Sequence, residues 1–446
     1  MEQTLTLAVL LAVYALVATR LERLRITGPM FFLLLGAVCG TAGFDVLPVT
    51  ASNESVKVLA EVTLALLLFA DASTISLRRA RQDVRLPERL LLLGLPLTIV
   101  FGAIVAFGMF PGYGWETAAL LGAMLAPTDA ALGLAVVTNR AVPVRVRRLL
   151  NIESGLNDGL ATPFVMLFIA LVVSETEGAA EGFVFDAVKE MGIAVVVATA
   201  VGLVGGWLMS KARAADWSSP HSEELAVMAF AFMAYAGGVA AGGNGFVAAF
   251  LGGALFGAGR HELVEKPIEF TETSGLFLSY LVWTMFGATI VGPVFASGVD
   301  PLIVGYAVLS LTIVRMIPVA LSLLGSGLRR ETVAFVGWFG PRGLASAVFT
   351  FLALEAFQEA GAPDLSTFVT AVAAWTVLLS VVAHGITAAP LAARYGRRMT
   401  QLGEIPEMQS GPEPRVRRQA LHRVHRGRRP EEGDRDPSVR VEVESQ

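Results

Sequence analysis

The run NIESGLNDG at residues 151–159 places Glu153, Asn157 and Asp158 inside a stretch, Leu149 to Val173, that is otherwise apolar enough to cross a bilayer. Holding an ionised side chain at bilayer depth costs several kcal/mol or more, so an intramembrane acid points to an ion or proton path with a partner in the bundle. On a helix Glu153 and Asn157, four apart, share a face. Asp158 is turned about 100° away, so the two carboxylates address different neighbours.

Outward from this run the chain keeps the same character. Of its 446 residues 54% are hydrophobic and 16% charged, with 45 glycines and a mean hydropathy of +0.63. That composition suits a polytopic helical bundle and not a soluble domain. The net charge of −4 carries little information, because the charges are segregated by side. A single cysteine, Cys39, leaves no disulfide framework or thiolate metal site within one chain. The first apolar stretch, about Leu5 to Thr19, lacks the positive leader and small-residue cleavage site of a signal peptide and reads as a retained helix.

Stretches that meet the requirement of roughly 20 apolar residues, some shortened by Gly or Pro, predict thirteen transmembrane helices. They centre near residues 12, 35, 63, 99, 126, 160, 196, 230, 251, 280, 312, 343 and 377. The fold expected is an all-α polytopic membrane protein. Basic clusters at Arg20–Arg25, Arg78–Arg89, Arg140–Arg148, Lys211–Arg213, Arg260–Lys266, Arg329–Arg330 and Arg394–Arg398 fall in alternate loops, and the intervening loops carry none. The positive-inside rule makes the basic set cytoplasmic, in a cell membrane, with the N-terminus outside and the C-terminus inside. Residues 1–398 are the predicted membrane domain. Residues 399–446, polar and rich in Pro, Gly and both charge signs, read as a largely disordered cytoplasmic tail. Its basic patch, Arg415 to Arg429, is either solvated or laid on anionic lipid.

In the fifth span, ALLGAMLAPTDAALGLAVV, Pro127 predicts a break around Thr128 and Asp129. Transporters use such breaks to bring backbone groups and half-helix dipoles to a midplane site, whereas a plain proline kink would leave Asp129 as a helix cap. A second break is expected in the twelfth span, TVAFVGWFGPRGLASAVFTFL, where Gly340, Pro341 and Gly343 bracket Arg342. Taking spans 1–6 and 8–13 as equivalent six-helix repeats, inverted in topology, pairs span 5 with span 12. Two crossed broken helices would then have Asp129 near the amide ends and Arg342 near the carbonyl ends, compensating the half-dipoles.

The span-11 arginine, Arg315, needs a carboxylate, and Glu153 is the candidate, with Asn157 bridging. Asp158 is left for a proton or a small cation. Hard cations want oxygen ligands, which Asp158, Ser154 and the Thr128 carbonyl offer. Asp71, at the cytoplasmic part of span 3, is either a further acid of the site or a helix-end residue in solvent beside Arg78 and Arg79.

These motifs, APTDAALG at 126–133, NIESGLNDG at 151–159, Arg315 and FGPRGLAS at 339–346, resemble in type and order those of the monovalent cation/proton antiporters, specifically the sodium/proton exchanger branch. The Asn157-Asp158 pair looks like that of members that are commonly electroneutral. The resemblance implies that Asp158 is the carboxylate alternately protonated and cation-loaded, that Thr128 and Ser154 contribute oxygens, and that Glu153, Asn157 and Arg315 form a buried network. It also implies that Asp129 and Arg342 compensate the crossed helices, and that a homodimer moves a six-helix core against a dimerisation domain. The chain departs from the usual pattern at Ala130, Pro341 and Asp71, which bears on cation preference.

No Walker-type loop, zinc-spaced cluster or Ser-His-Asp order is present, so neither an ATP-driven pump nor an enzyme is expected. No resident cofactor and no nucleic-acid partner are expected either. The expected partners are the transported cation, the proton, membrane lipid and a second copy of the chain. His384, in span 13, reads as a satisfied core or interface histidine in preference to a proton sensor. The Gly-rich stretches at 202–208 and 250–259 read as close helix packing. The leading functional reading is sodium (or lithium)/proton antiport. The alternatives are the same machine selective for potassium, and a channel or sensor that keeps the fold without coupled exchange.

Overall fold

The structure, a computed structural model, describes residues 2–51, 54–74, 85–129, 131–177, 183–258, 264, 266–403 and 405–408. Ala130, Arg78, Arg79, Arg81, Arg260 and the tail beyond Met408, with its basic patch, lie outside the described residues. The described residues form helices and turns without a strand. In chain order the helices are α1 (Glu2–Arg23), α2 (Gly28–Cys39), α3 (Glu54–Thr74), α4 (Arg85–Met109), α5 (Gly114–Met124), α6 (Leu134–Val137), α7 (Val144–Glu177) and α8 (Phe185–Ala214). There follow α9 (Pro220–Ala240), α10 (Gly245–Gly257), α11 (Ile268–Ala296), α12 (Pro301–Leu311), α13 (Ile313–Ser322), α14 (Arg330–Trp338), α15 (Leu344–Glu359) and α16 (Pro363–Gln401).

Every predicted span centre falls inside one of these helices or at a break between two. Among the described residues eight helices are, by length and composition, able to cross a membrane unaided, and α2 and α10 are shorter apolar helices. The loops carry start signals of a recurring kind. Thr27 accepts the Met30 N–H before α2, Ser219 forms a capping box before Pro220, and Asp300 accepts the Leu302 N–H before α12. In all three a proline occupies the first turn, where its missing N–H costs nothing.

Two bodies emerge from the packing. Helices α2, α3 and α8 to α11 pack chiefly on one another, forming a panel to which α1 is joined through Tyr14, whose ring meets Phe31, Phe32 and Tyr280. Helices α4 to α7 and α12 to α16 form the second body, the core. Contacts between the bodies run mainly through α3 and α11 on one side and α7, α15 and α16 on the other. One is an ion pair, Lys57 Nζ to Glu355 Oε1 at 2.6 Å.

Within the panel the helices meet backbone to backbone. Gly253 and Gly257 of α10 lie against the carbonyls of Phe69 and Ser73 in α3, and Gly36 of α2 and its C-cap Gly40 against those of Thr284 and Ala288 in α11. Small residues at four-residue spacing allow such approach. At its far end α16 runs to Gln401, so the first residues assigned to the tail are helical. Glu407 then folds back, fully buried, to accept from the Arg329 N–H and the Thr332 hydroxyl, both at 2.8 Å.

A methyl group at position 253 would meet main chain that cannot step aside, whereas one at Gly108 meets nothing within 4 Å. Gly253→Ala is expected to destabilise the protein by about 1–3 kcal/mol and lower its melting temperature in detergent. Gly108→Ala, which gains helix propensity in open space, should leave the melting temperature unchanged or raise it.

Candidate functional site

Both anticipated breaks exist and they cross. The chain leaves helix after Met124 and resumes it at Leu134. It leaves again after Trp338 and resumes at Leu344. Where the two extended pieces pass, the Asp129 N–H donates to the Pro341 carbonyl at 2.8 Å. The Asp129 side chain accepts from the Ala131 N–H at 2.6 Å and from the Leu344 N–H at 3.0 Å, which puts a carboxylate at the amide end of α15. Arg342, fully buried, donates to the carbonyls of Ala126 at 2.7 Å and Ser310 at 3.2 Å, which puts a guanidinium at the carbonyl ends of α5 and α12. Each charge faces the pole of opposite sign. Glycine is required at 343, because a side chain there would overlap the Asp129 carboxylate.

α7 passes beside this crossing and presents two faces to it. On one, Arg315 Nη2 donates to Glu153 Oε1, both residues being 2% exposed, and Gly340 leaves room for the guanidinium. Asn157 does not bridge that pair. Its Nδ2 donates instead to Thr128 Oγ1 at 2.6 Å, and Thr128 Oγ1 lies 3.2 Å from Ser154 Oγ. The other face of α7 carries Ser154 and Asp158, one turn apart, into a pocket between core and panel. Asp71 enters the same pocket from α3, and Asp129 lines it from the crossing. The panel side of the wall is largely apolar, from Leu64, Leu67, Leu68 and Trp283, with Ser279 among them. The pocket thus gathers carboxylate and hydroxyl oxygens from both bodies against an otherwise largely apolar panel wall, and oxygen is the donor type that hard cations take.

Sequence reasoning missed three features here. A third break lies at Thr312, with φ −111° and ψ −92°, between α12 and α13. Its signals were Thr312, whose hydroxyl bonds back to the Val308 carbonyl at 2.6 Å, and Pro318. Hydroxyl back-bonding of that kind bends helices. The panel wall residues Ser279 and Trp283 belong to no motif. Ser380 of α16 accepts the Arg342 N–H at 2.6 Å, and nothing in its surrounding sequence marks it out.

The geometry has relatives. The chain is 26% identical over 403 residues to a K(+)/H(+) antiporter NhaP2 of Shewanella baltica, covering 86% of this chain and 66% of that protein, so it spans just under two thirds of that relative's length. It is 24% identical over 408 residues to the Na(+)/H(+) antiporter ApNhaP of Aphanothece halophytica, covering 89% of this chain and 74% of that one. Its fold superposes on the sodium proton antiporter MjNhaP1 of Methanocaldococcus jannaschii at pH 8 with a TM-score of 0.71 and 20% identity, over 91% of this chain and 100% of the other. Residues 8–394, nearly the whole described structure, match the family described as sodium/hydrogen exchanger, transmembrane. The chain is a multi-pass membrane protein and belongs to the sodium/hydrogen exchanger family.

Proposed function

We propose that this protein is a secondary antiporter that exchanges one monovalent cation for one proton at a single site centred on Asp158. One observation carries the reading. Of the carboxylates around the crossing, Glu153 is taken by Arg315 and Asp129 by two backbone amides, while Asp158 stands with Ser154 on the face of α7 that lines the pocket between the two bodies. Asp158 binds either the proton or the cation. Thr128 and Ser154 supply neutral oxygens, and Asp71 completes the oxygen set from across the pocket. Glu153, Arg315 and Asn157 hold α7 and the Thr128 hydroxyl in register, and Asp129 with Arg342 neutralises the half-helix poles.

Access alternates as the core moves against the panel of a homodimer, with residues 1–398 in the cell membrane, the N-terminus outside and residues 399–446 as a cytoplasmic tail. Sodium or lithium is the leading cargo. The potassium reading is supported by the K(+)/H(+) name of a relative. The two separate in one proteoliposome assay of cation-driven proton movement in sodium, lithium and potassium. Competition for a single carboxylate gives a bell-shaped activity profile: at low pH the proton excludes the cation, and at high pH the cation excludes the proton.

Asp158→Asn is expected to abolish cation-driven proton flux while leaving folding and assembly intact. Substantial residual flux would move the site elsewhere. Removing one partner of a buried ion pair strands the other. Arg315→Ala should therefore cost about 3–5 kcal/mol of stability, read as a large drop in melting temperature, and Glu153→Ala/Arg315→Ala should recover part of it. Parental melting of both single variants would make the pair dispensable. A one-for-one cycle carries no net charge. The reversal point of transport in liposomes with fixed cation and pH gradients should therefore stay put under an imposed potential, although such a potential shifts any electrogenic cycle by about 2.3 kcal/mol per charge per 100 mV. A reversal point that follows voltage would show a second titrating carboxylate, with Asp71 and Asp129 the first to test.

A further inference from the structure

We infer that Ser380 and His384 of α16 are positioning residues for the exchange site, acting as a relay that holds both lips of the interrupted span 12 and, through them, Thr128. The relay rests on the proposed antiport for its functional effect but not for its geometry. His384 is 1% exposed, and its Nε2 lies 2.9 Å from the carbonyl of Trp338, the last residue of α14. The relay puts the ring proton on Nε2, since a carbonyl only accepts; Nδ1 also faces a carbonyl, that of Ser380, at 2.9 Å. In the neutral ring Nδ1 is then an acceptor. It lies 3.3 Å from the Ser380 hydroxyl, whose oxygen accepts the Arg342 N–H at 2.6 Å. The bonds run in one direction, from the Arg342 N–H to Ser380 Oγ, from Ser380 O–H to His384 Nδ1, and from His384 Nε2–H to the Trp338 carbonyl.

These are backbone groups that the break deprives of helical partners, and a buried one needs a replacement. One turn of α16 supplies a partner to each, and the Trp338 carbonyl also accepts the Gly340 N–H at 2.9 Å. Trp338 is pinned a second time by its own indole N–H, which donates to Thr387 Oγ1 at 3.2 Å. The charged groups acting on the ring are the guanidiniums of Arg342 and Arg315, the latter bound to the Glu153 carboxylate. A proton on Nδ1 would instead donate to the Ser380 carbonyl at 2.9 Å and leave the Ser380 hydroxyl without this acceptor. The relay corresponds to the Nε2–H tautomer, in which the contact of Nδ1 with the Ser380 carbonyl carries no proton.

The relay reaches the cation site in two short steps. Arg342 holds the Ala126 carbonyl, and Pro341 beside it holds the Asp129 N–H, so residues 126–129 are fixed by whatever fixes 338–342. Between them stands Thr128, whose hydroxyl meets Asn157 and Ser154. Loosening the lips of span 12 therefore displaces an oxygen of the site without touching Asp158.

The test uses the full-length protein in proteoliposomes, with sodium and potassium as the cations. His384→Leu and Ser380→Ala leave buried partners unsatisfied and should raise the half-saturating cation concentration about tenfold, with much less effect on the maximal rate. His384→Gln, which keeps an N–H and an acceptor, and Ser380→Thr, which keeps the hydroxyl, should recover most of the loss. Nitrogen-15 NMR of the histidine-labelled protein, with the His384 signal identified by its loss in His384→Gln, should show a neutral ring protonated on Nε2 from pH 6 to 8. The inference is overturned if His384→Leu and Ser380→Ala keep parental cation affinity, if His384→Gln is as impaired as His384→Leu, or if the ring is charged or protonated on Nδ1. Should His384→Leu fail to fold, Ser380→Ala and the NMR signature still decide. If the parental protein itself exchanges neither cation, the antiport reading falls, while the NMR signature continues to report on the relay.

Discussion

Main-chain amides and carbonyls released inside a bilayer have no water to turn to and must be satisfied within the protein. The crossing of the two interrupted helices is where this chain meets that demand, and the rest of the structure is arranged around it. Asp129 takes two amides, Arg342 two carbonyls, and the two extended pieces bond directly to each other. Arg342 also answers the break at Thr312, since the Ser310 carbonyl it reaches lies at the end of α12. Remove the crossing and three interrupted helices lose partners at once. The location of the pocket follows from the same demand, because only where helices stop are backbone groups freed inside an apolar body.

Glu153 and Asp158 illustrate how neighbouring acids acquire different surroundings from a single helix. They are five residues apart, and the 100° rotation per residue directs Glu153 inward to Arg315 and Asp158 toward the pocket. The core keeps its fixed charges in matched arrangements and leaves the pocket-facing carboxylate at the boundary with the panel. That separation of a structural acid from a solvent-reachable one is what lets a membrane protein carry several intramembrane charges at tolerable cost.

Much of this was legible in the sequence because the determining signals are local. Pro127 and the Gly340 to Gly343 segment announce interruptions through backbone chemistry that does not depend on the fold, and the cap and proline pairs at Ser219-Pro220 and Asp300-Pro301 mark helix starts in the same way. The break at Thr312 was not legible. Its local signals, Thr312 and Pro318, are weak, and the guanidinium that takes the freed Ser310 carbonyl arrives from the break after α14, 32 residues away in sequence. The surroundings of Asp71 were equally hidden, since two local readings were compatible with the sequence and only the approach of α3 to α7 brings the residue to the pocket. Asn157 was assigned to its neighbour in the motif, but the amide reaches across to Thr128, a choice that depends on where the fifth span breaks.

The glycines of the panel have a mechanical meaning. Two helices separated by a layer of side chains can slide, because rotamers yield and refill the space. Where Gly36 and Gly40 set α2 on the main chain of α11, and Gly253 and Gly257 set α10 on that of α3, there is no such layer to shear. These four helices form a stiff plate. Strain imposed on the molecule cannot dissipate inside it and is passed to its edge, where side chains intervene and an ion pair, Lys57 with Glu355, is among the ties across the seam. The seam therefore yields more readily than the plate, and the pocket holding Asp158 lies on that seam.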